Sequence, residues 1–279
     1  MRGDHLGGKL VLLLQSAQLR LEALVAELAG VFPDSAFHLG GDEVHFDCWN
    51  ASTGVRAFMA SKGMVTPAGK PDFAQLEQYY ENSLMEIASR VLPTRKVMVY
   101  QEVFDNNVTL PSKVVFGVWK RNAGPPSHRL IPEEVSAIAK AGHEVVLMNG
   151  NAGEWYLNDG FGNGNVVSGW GDVYLLDPLN GTDGTLTPAE SARIIGGEVS
   201  LWGEEINGDN IQQKAWPRAS AFAERMWSKW RFTKNIRSQT ALAEQVGPRL
   251  VRMYCKIRQR GIKASPVSPG SCSEVYVPP

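Results

Sequence analysis

Long apolar runs are missing from this sequence. Its richest, Leu10 to Leu14 behind Lys9, is only five residues long, whereas a membrane-crossing helix needs roughly 18 or more. A signal-peptide core needs roughly 7–15, so residues 1–15 read as an irregular start or the beginning of a helix. No membrane span is expected. Excess charge of either sign is missing too: 28 Lys and Arg stand against 29 Asp and Glu. That balance argues against nucleic acid or any other polyanion as the main partner. The late basic residues Arg237, Arg249, Arg252, Lys256, Arg258, Arg260 and Lys263 fall at helical spacing and read as a solvated face. Cysteine is scarce, with three in the chain, so one is left over from any pairing and calls for an explanation. No internal repeat or low-complexity tract is present.

What remains fits a soluble globular protein, with 43% apolar and 20% charged residues, long enough for one large domain or two ordinary ones. Residues 16 to 30 carry Leu19, Leu21, Leu24, Val25 and Leu28 at roughly helical spacing. Helices are also expected at 52–62 and at 72–91, the latter with Leu76, Tyr79, Tyr80, Leu84, Ile87 and Val91 on its buried side. Others are expected from Pro132, from Thr187-Pro188, and from Pro217, where Ala219, Phe222, Ala223, Met226 and Trp227 make one apolar stripe. A last helical region, 236–260, should be kinked or split at Gly247-Pro248. Strands are expected at about 35–41, 96–103, 114–119, 143–148 and 194–202. Strand then helix, repeated, predicts an α/β fold with a parallel sheet.

The stretch Ala36-Phe37-His38-Leu39-Gly40-Gly41-Asp42-Glu43-Val44 organises the chemistry. Gly40 and Gly41 tolerate backbone conformations that a Cβ resists, so a strand can end sharply and present Asp42 and Glu43 at its carboxyl edge. Barrel enzymes keep their catalytic groups there. Adjacent carboxylates repel, which favours a protonated general acid beside an anion. Taken alone, an Asp-Glu pair is most often a solvated helix start at the positive end of the dipole. His38, Asp42, Glu43 and His45 cluster in sequence, but no spacing matches a zinc or calcium pattern, and no metal or cofactor is expected. Asn50, Asn107 and Asn180 head sequons that would accept glycans in the secretory pathway.

The whole nonamer, followed by Cys48-Trp49, resembles the signature of family 20 glycoside hydrolases, the β-N-acetylhexosaminidases, with a likeness to the animal lysosomal subunits. Further blocks follow in the family's order: Tyr100 to Asn106, Val118-Trp119, Trp155 to Asn158, Gly196 to Glu198 with Trp202-Gly203-Glu204, and Trp216 to Arg225. The resemblance covers roughly residues 22 to 272. It implies a partial TIM-type β/α barrel, about five of the eight strand–helix units, with residues 16–279 as the carboxyl-terminal part of the catalytic domain plus its last helices. It also implies removal of terminal N-acetylglucosamine or N-acetylgalactosamine from glycoconjugates by a retaining, substrate-assisted mechanism, an exception to the two-carboxylate scheme with an enzyme nucleophile. Glu43 would be the general acid and then the base for water. Asp42 would hold the acetamido N–H, and Tyr156 would donate to the acetamido carbonyl. Trp119, Trp155, Trp202 and Tyr100 would wall the sugar, with Asn158 and Glu204 on its hydroxyls.

The same resemblance pairs Cys255 with Cys272, leaving Cys48 free because its family partner lies upstream. It implies a lysosomal or secretory location and a homo- or heterodimer with a hexosaminidase subunit. Departures are visible. Tyr100 replaces the family's tryptophan, and Asp159 stands where subunits that accept anionic sugars carry a cation. The family's arginine for the sugar's 3- and 4-hydroxyls, and the aspartate and histidine behind the acid, have no counterpart in these residues. Without the charged bidentate anchor, reduced activity is expected of this stretch taken alone. The alternative expectation is a catalytically impaired isoform that associates with a full-length subunit.

Overall fold

The computed structural model describes residues 4–112, 114–120, 129–149, 155–158, 169–179, 182, 184–270 and 272, with side chains from residue 17 onward. The chain divides into two compact units. One comprises Met1–Gly117, Ala123–His128 and Ala141–Glu144, the other Val118–Asn122, Arg129–Lys140 and Val145–Pro279. Five parallel strands lie in chain order among the described residues.

In the first unit β1 (Ala36–His38), β2 (Lys96–Tyr100) and β3 (Val115–Val118) pair in parallel, Phe37 opposite Val97 and Val99 opposite Phe116. Every residue of β3 is buried, as befits a strand covered on both faces. The strand expected to reach residue 103 stops at Tyr100. There the chain turns into the short helix Glu102–Asp105, because the Phe104 and Asp105 amides both close onto the Gln101 carbonyl at 2.9 Å.

The first helix starts at Asp4 and runs to Val31, so of the two readings of residues 1–15, an irregular start or the beginning of a helix, the helix is the one found from Asp4 onward. Leucine and lysine are good helix formers, and they carry the helix through the early run. Its Val25 and Ala29 pack with Ile87, Ala88 and Leu92 of the segment that follows β1. Ile87 and Ala88 lie on the helix Phe73–Val91, which Leu92 caps and which the Asp72 carboxylate opens by accepting from the Gln75 amide. Leu84 and Ile87 are buried as expected, at roughly 1.5–3 kcal/mol each. Tyr80 is exposed instead, and Glu77 and Glu81 take buried positions on the helix.

In the second unit β4 (Glu144–Leu147) and β5 (Ile194–Gly197) pair in parallel, with a register shift between Val145 and Val146. Thr187 and Glu190 form the capping box before Pro188. The helix Arg218–Trp227 departs from expectation. It buries Arg218, Ser220, Ala221 and Arg225, while Trp227 at the end of the expected apolar stripe is 90% exposed. The arginines are drawn inward by hydrogen bonds: Arg225 donates to the Thr233 carbonyl at 2.9 Å and to Asp177 at 2.7 Å. Arg218 donates to the carbonyls of Leu157 and Lys214. The last helical region is split as expected, into a wide turn at Leu242–Val246 and the helix Gly247–Gln259.

Cys255 on that helix is disulfide-bonded to Cys272, 17 residues on, and Cys48 is free and exposed. Reducing this bond is expected to lower stability by roughly 3 kcal/mol, the chain-entropy value for a loop of this size. The check is the denaturant midpoint with and without reductant, and with Cys272→Ser. Unchanged midpoints would refute it.

Candidate active site

In the first unit, β1 delivers its chain directly into the Gly-Gly-Asp-Glu turn. Gly40 and Gly41 have φ of 83° and 99°, and Glu43 itself sits at 50°. A left-handed residue with a side chain is costly and persists only where its surroundings hold it. The restraint comes from β2 and the turn after it. The Tyr100 amide donates to the Gly40 carbonyl at 2.8 Å, and a Cβ on Gly41 would lie 2.6 Å from Val103 Cγ2. The Glu43 amide faces Glu102 Oε1 at 3.4 Å. The carboxylates of Asp42 and Glu43 are exposed.

His38 lies just behind them. Its Nδ1 accepts from the Gly40 amide at 3.0 Å, and its ring sits 4.3 Å from that of Tyr100. Burial pushes the imidazole below its usual range, and the Asp42 charge partly offsets this. A neutral ring accepting at Nδ1 carries its proton on Nε2, which is buried with no partner. The structure thus brings together Asp42, Glu43 and Tyr100 within this unit.

In the second unit, the segment 155–158 is tied to the stretch after β5. The Leu157 amide donates to the Ser200 carbonyl at 2.8 Å and the Ser200 amide to the Trp155 carbonyl at 3.0 Å. Tyr156 is half-buried on this pairing. Trp155 is a correction. It is wholly buried, its indole N–H donates to the Val173 carbonyl at 3.1 Å, and its ring meets Phe222 edge-on. A Cβ on Gly197 would come within 2.4 Å of it, so Trp155 is core here and has no face left for a sugar.

Asn158 is also wholly buried, and neither its oxygen nor its nitrogen has a partner. Trp202 and Glu204 are exposed, and Trp119 is half-buried with its carbonyl held by Asn149 at 2.8 Å. Asn50 and Asn107 are exposed. Asn180 and Asp159 lie outside the described residues.

Two residues of structural consequence escaped the sequence reading. Arg218 fastens the Leu157 carbonyl between Tyr156 and Asn158, and Glu102 faces the Glu43 amide. Both lie inside motif blocks, and that was the only signal available. Among the described residues no group of three His, Cys, Asp or Glu side chains could hold a metal ion, and no helix is long and apolar enough to cross a membrane.

A paired carboxylate turn at the carboxyl end of a parallel strand stands where β/α-barrel folds carry their functional groups. Residues 8–230 match the family described as glycosyl hydrolase family 20, catalytic domain. The chain belongs to that family. It is 36% identical to the β-hexosaminidase subunit alpha of Mus musculus over 92% of this chain and 43% of the relative. Against the subunit beta of Homo sapiens it is 35% identical over 91% of this chain and 40% of the relative. Among solved structures, the Flavobacterium johnsoniae chitobiase aligns with a TM-score of 0.68 at 24% identity, covering 89% of this chain and 33% of that one. The β-N-acetylhexosaminidase of Bacteroides fragilis aligns at 0.64 and 18% identity, covering 94% and 48%. These likenesses place the strands in a partial β/α barrel. The chain spans well under half the length of the curated relatives it matches.

Proposed function

We propose that this chain carries the acid–base and acetamido-binding part of a β-N-acetylhexosaminidase that removes terminal N-acetylhexosamine with retention. The carrying observation is the presentation of Asp42 and Glu43 on a left-handed turn directly after β1 in a chain of this family. Glu43 protonates the leaving oxygen while the substrate's acetamido oxygen attacks the anomeric carbon. Asp42 holds the acetamido N–H and stabilises the cationic ring that results. Glu43, now the base, takes a proton from the water that opens that ring.

Tyr156 orients the acetamido carbonyl, Trp119, Trp202 and Tyr100 supply apolar surface, and Glu204 binds a sugar hydroxyl. Asn158 binds another. That role rests on the family pattern alone, since Asn158 is wholly buried. Residues 16–279 then act as one portion of a catalytic domain in the lysosomal or secretory pathway. Association with a hexosaminidase subunit belongs to the same reading, supported by the exposed Trp227.

The discriminating assay compares an aryl N-acetyl-β-glucosaminide with the aryl β-glucoside that lacks the acetamido group. Only the first should turn over, releasing the β-anomer. Equal rates on both would overturn the mechanism.

A further inference from the structure

We propose that Glu102 is a positioning residue that holds Glu43 in its working conformation. This rests on the reading of Glu43 as the acid–base residue. Glu43 has φ +50°, a conformation that a glutamate adopts only under restraint. A flexible exposed loop would relax out of it, taking the carboxyl with it. The Glu43 amide N–H points at Glu102 Oε1, 3.4 Å away and 59 residues distant in sequence. Glu102 is only 5% exposed and sits in the first turn of the helix Glu102–Asp105. A buried carboxylate aimed at a backbone N–H is a stronger acceptor than water or a neutral group.

The neighbouring contacts fix the chain as far as Gly41, two residues short of Glu43. Leu39 and Gly40 are laddered to Met98 and Tyr100 at 2.8 Å, and Gly41 is pressed on Val103. Glu102, one residue before Val103, extends this clamp to the acid. The helix that ends β2 early thus has a use: a strand continuing to residue 103 would carry successive side chains to opposite faces, whereas the turn brings Val103 and Glu102 to the same loop.

The test uses Glu102→Ala, which removes the acceptor, and Glu102→Gln, which keeps an oxygen acceptor of the same reach. Hydrogen exchange at the Glu43 amide should quicken by about tenfold in the Ala variant and stay within about threefold of wild type in the Gln variant. The Val99 and Phe104 amides should not change in either. In turnover, the Ala variant should lose roughly 10²-fold in kcat with KM little changed, the cost of a misplaced reacting group, and Gln should recover most of it. Unchanged exchange at Glu43 in the Ala variant overturns the proposal. So does uniform acceleration across β2 and the short helix, which would mark a merely structural role. If wild type hydrolyses no N-acetylhexosaminide, the catalytic reading fails, and the exchange comparison still decides whether Glu102 holds Glu43.

Discussion

Glu43→Gln is expected to lower kcat for an aryl N-acetyl-β-glucosaminide by roughly 10²-fold or more. The amide keeps the size of the carboxyl and most of its hydrogen bonding, so the exposed turn that carries it has no reason to rearrange. What disappears is the transferable proton. The loss should depend on the leaving group. An aryl group acidic enough to depart as an anion needs no proton, so ring formation should proceed nearly normally and leave only the water-activation step impaired. A poor leaving group should suffer in both steps. Steady-state rates across such a substrate series check this. A normal kcat in the variant would strip Glu43 of its role.

The parts of this fold that were legible share one property: their signal is local. All five strands appear where short β-prone runs stand between turn residues, although each is shorter than expected. The Gly40-Gly41 pair announced a sharp end to the strand, because glycine tolerates backbone conformations that a Cβ resists. Gly247-Pro248 announced the break in the last helix for a similar reason.

What was not legible depends on which side of an element finds a partner. Trp155 is expected as a sugar wall from its place in the motif block, although a lone tryptophan is more often core. The Val173 carbonyl decides it. The apolar stripe ending at Trp227 looked like the inner face of its helix. Arg218 and Arg225 face inward instead, because backbone carbonyls and Asp177 satisfy their guanidinium groups there. Arginine buries its head when such acceptors are in place. Glu102 lay within an expected strand, and nothing local shows that the chain turns helical at Gln101 and aims that carboxyl at Glu43.

Glu77 and Glu81 are the sharpest departure from the expected pattern, and they carry the remaining large effect. The first unit is expected to be more stable at pH 5 than at pH 8. Each carboxyl is only 2% exposed, and Glu77 Oε1 and Glu81 Oε2 have no hydrogen-bond partner. Burial pushes both up to about 7. For Glu77, the amide of Asn106 at 2.9 Å pulls the other way, and the charges of Glu81 and Glu102 add to the rise. The folded state therefore binds these protons more tightly than the unfolded chain, where carboxyls titrate near 4.5. The stabilisation is fully present below that unfolded value and is lost as pH rises through about 7. A shift from 4.5 to about 7 corresponds to roughly 3 kcal/mol for one group.

Two histidines oppose this trend. His38 and His143 are both lowered by burial, so their contribution is present above their ordinary value of 6.5 and fades as pH falls below it. The expectation rests on the two carboxyls raised to about 7, whose stabilisation is lost across the interval between pH 5 and pH 8. Hydrogen exchange along the helix Phe73–Val91, followed against denaturant at pH 5 and pH 8, measures the difference. Glu77→Gln and Glu81→Gln make each site permanently neutral, so each should raise stability at pH 8 and remove about half of the pH dependence. Greater stability at pH 8 in wild type, or an unchanged pH dependence in both variants, would show that these carboxyls do not hold their protons in the folded chain.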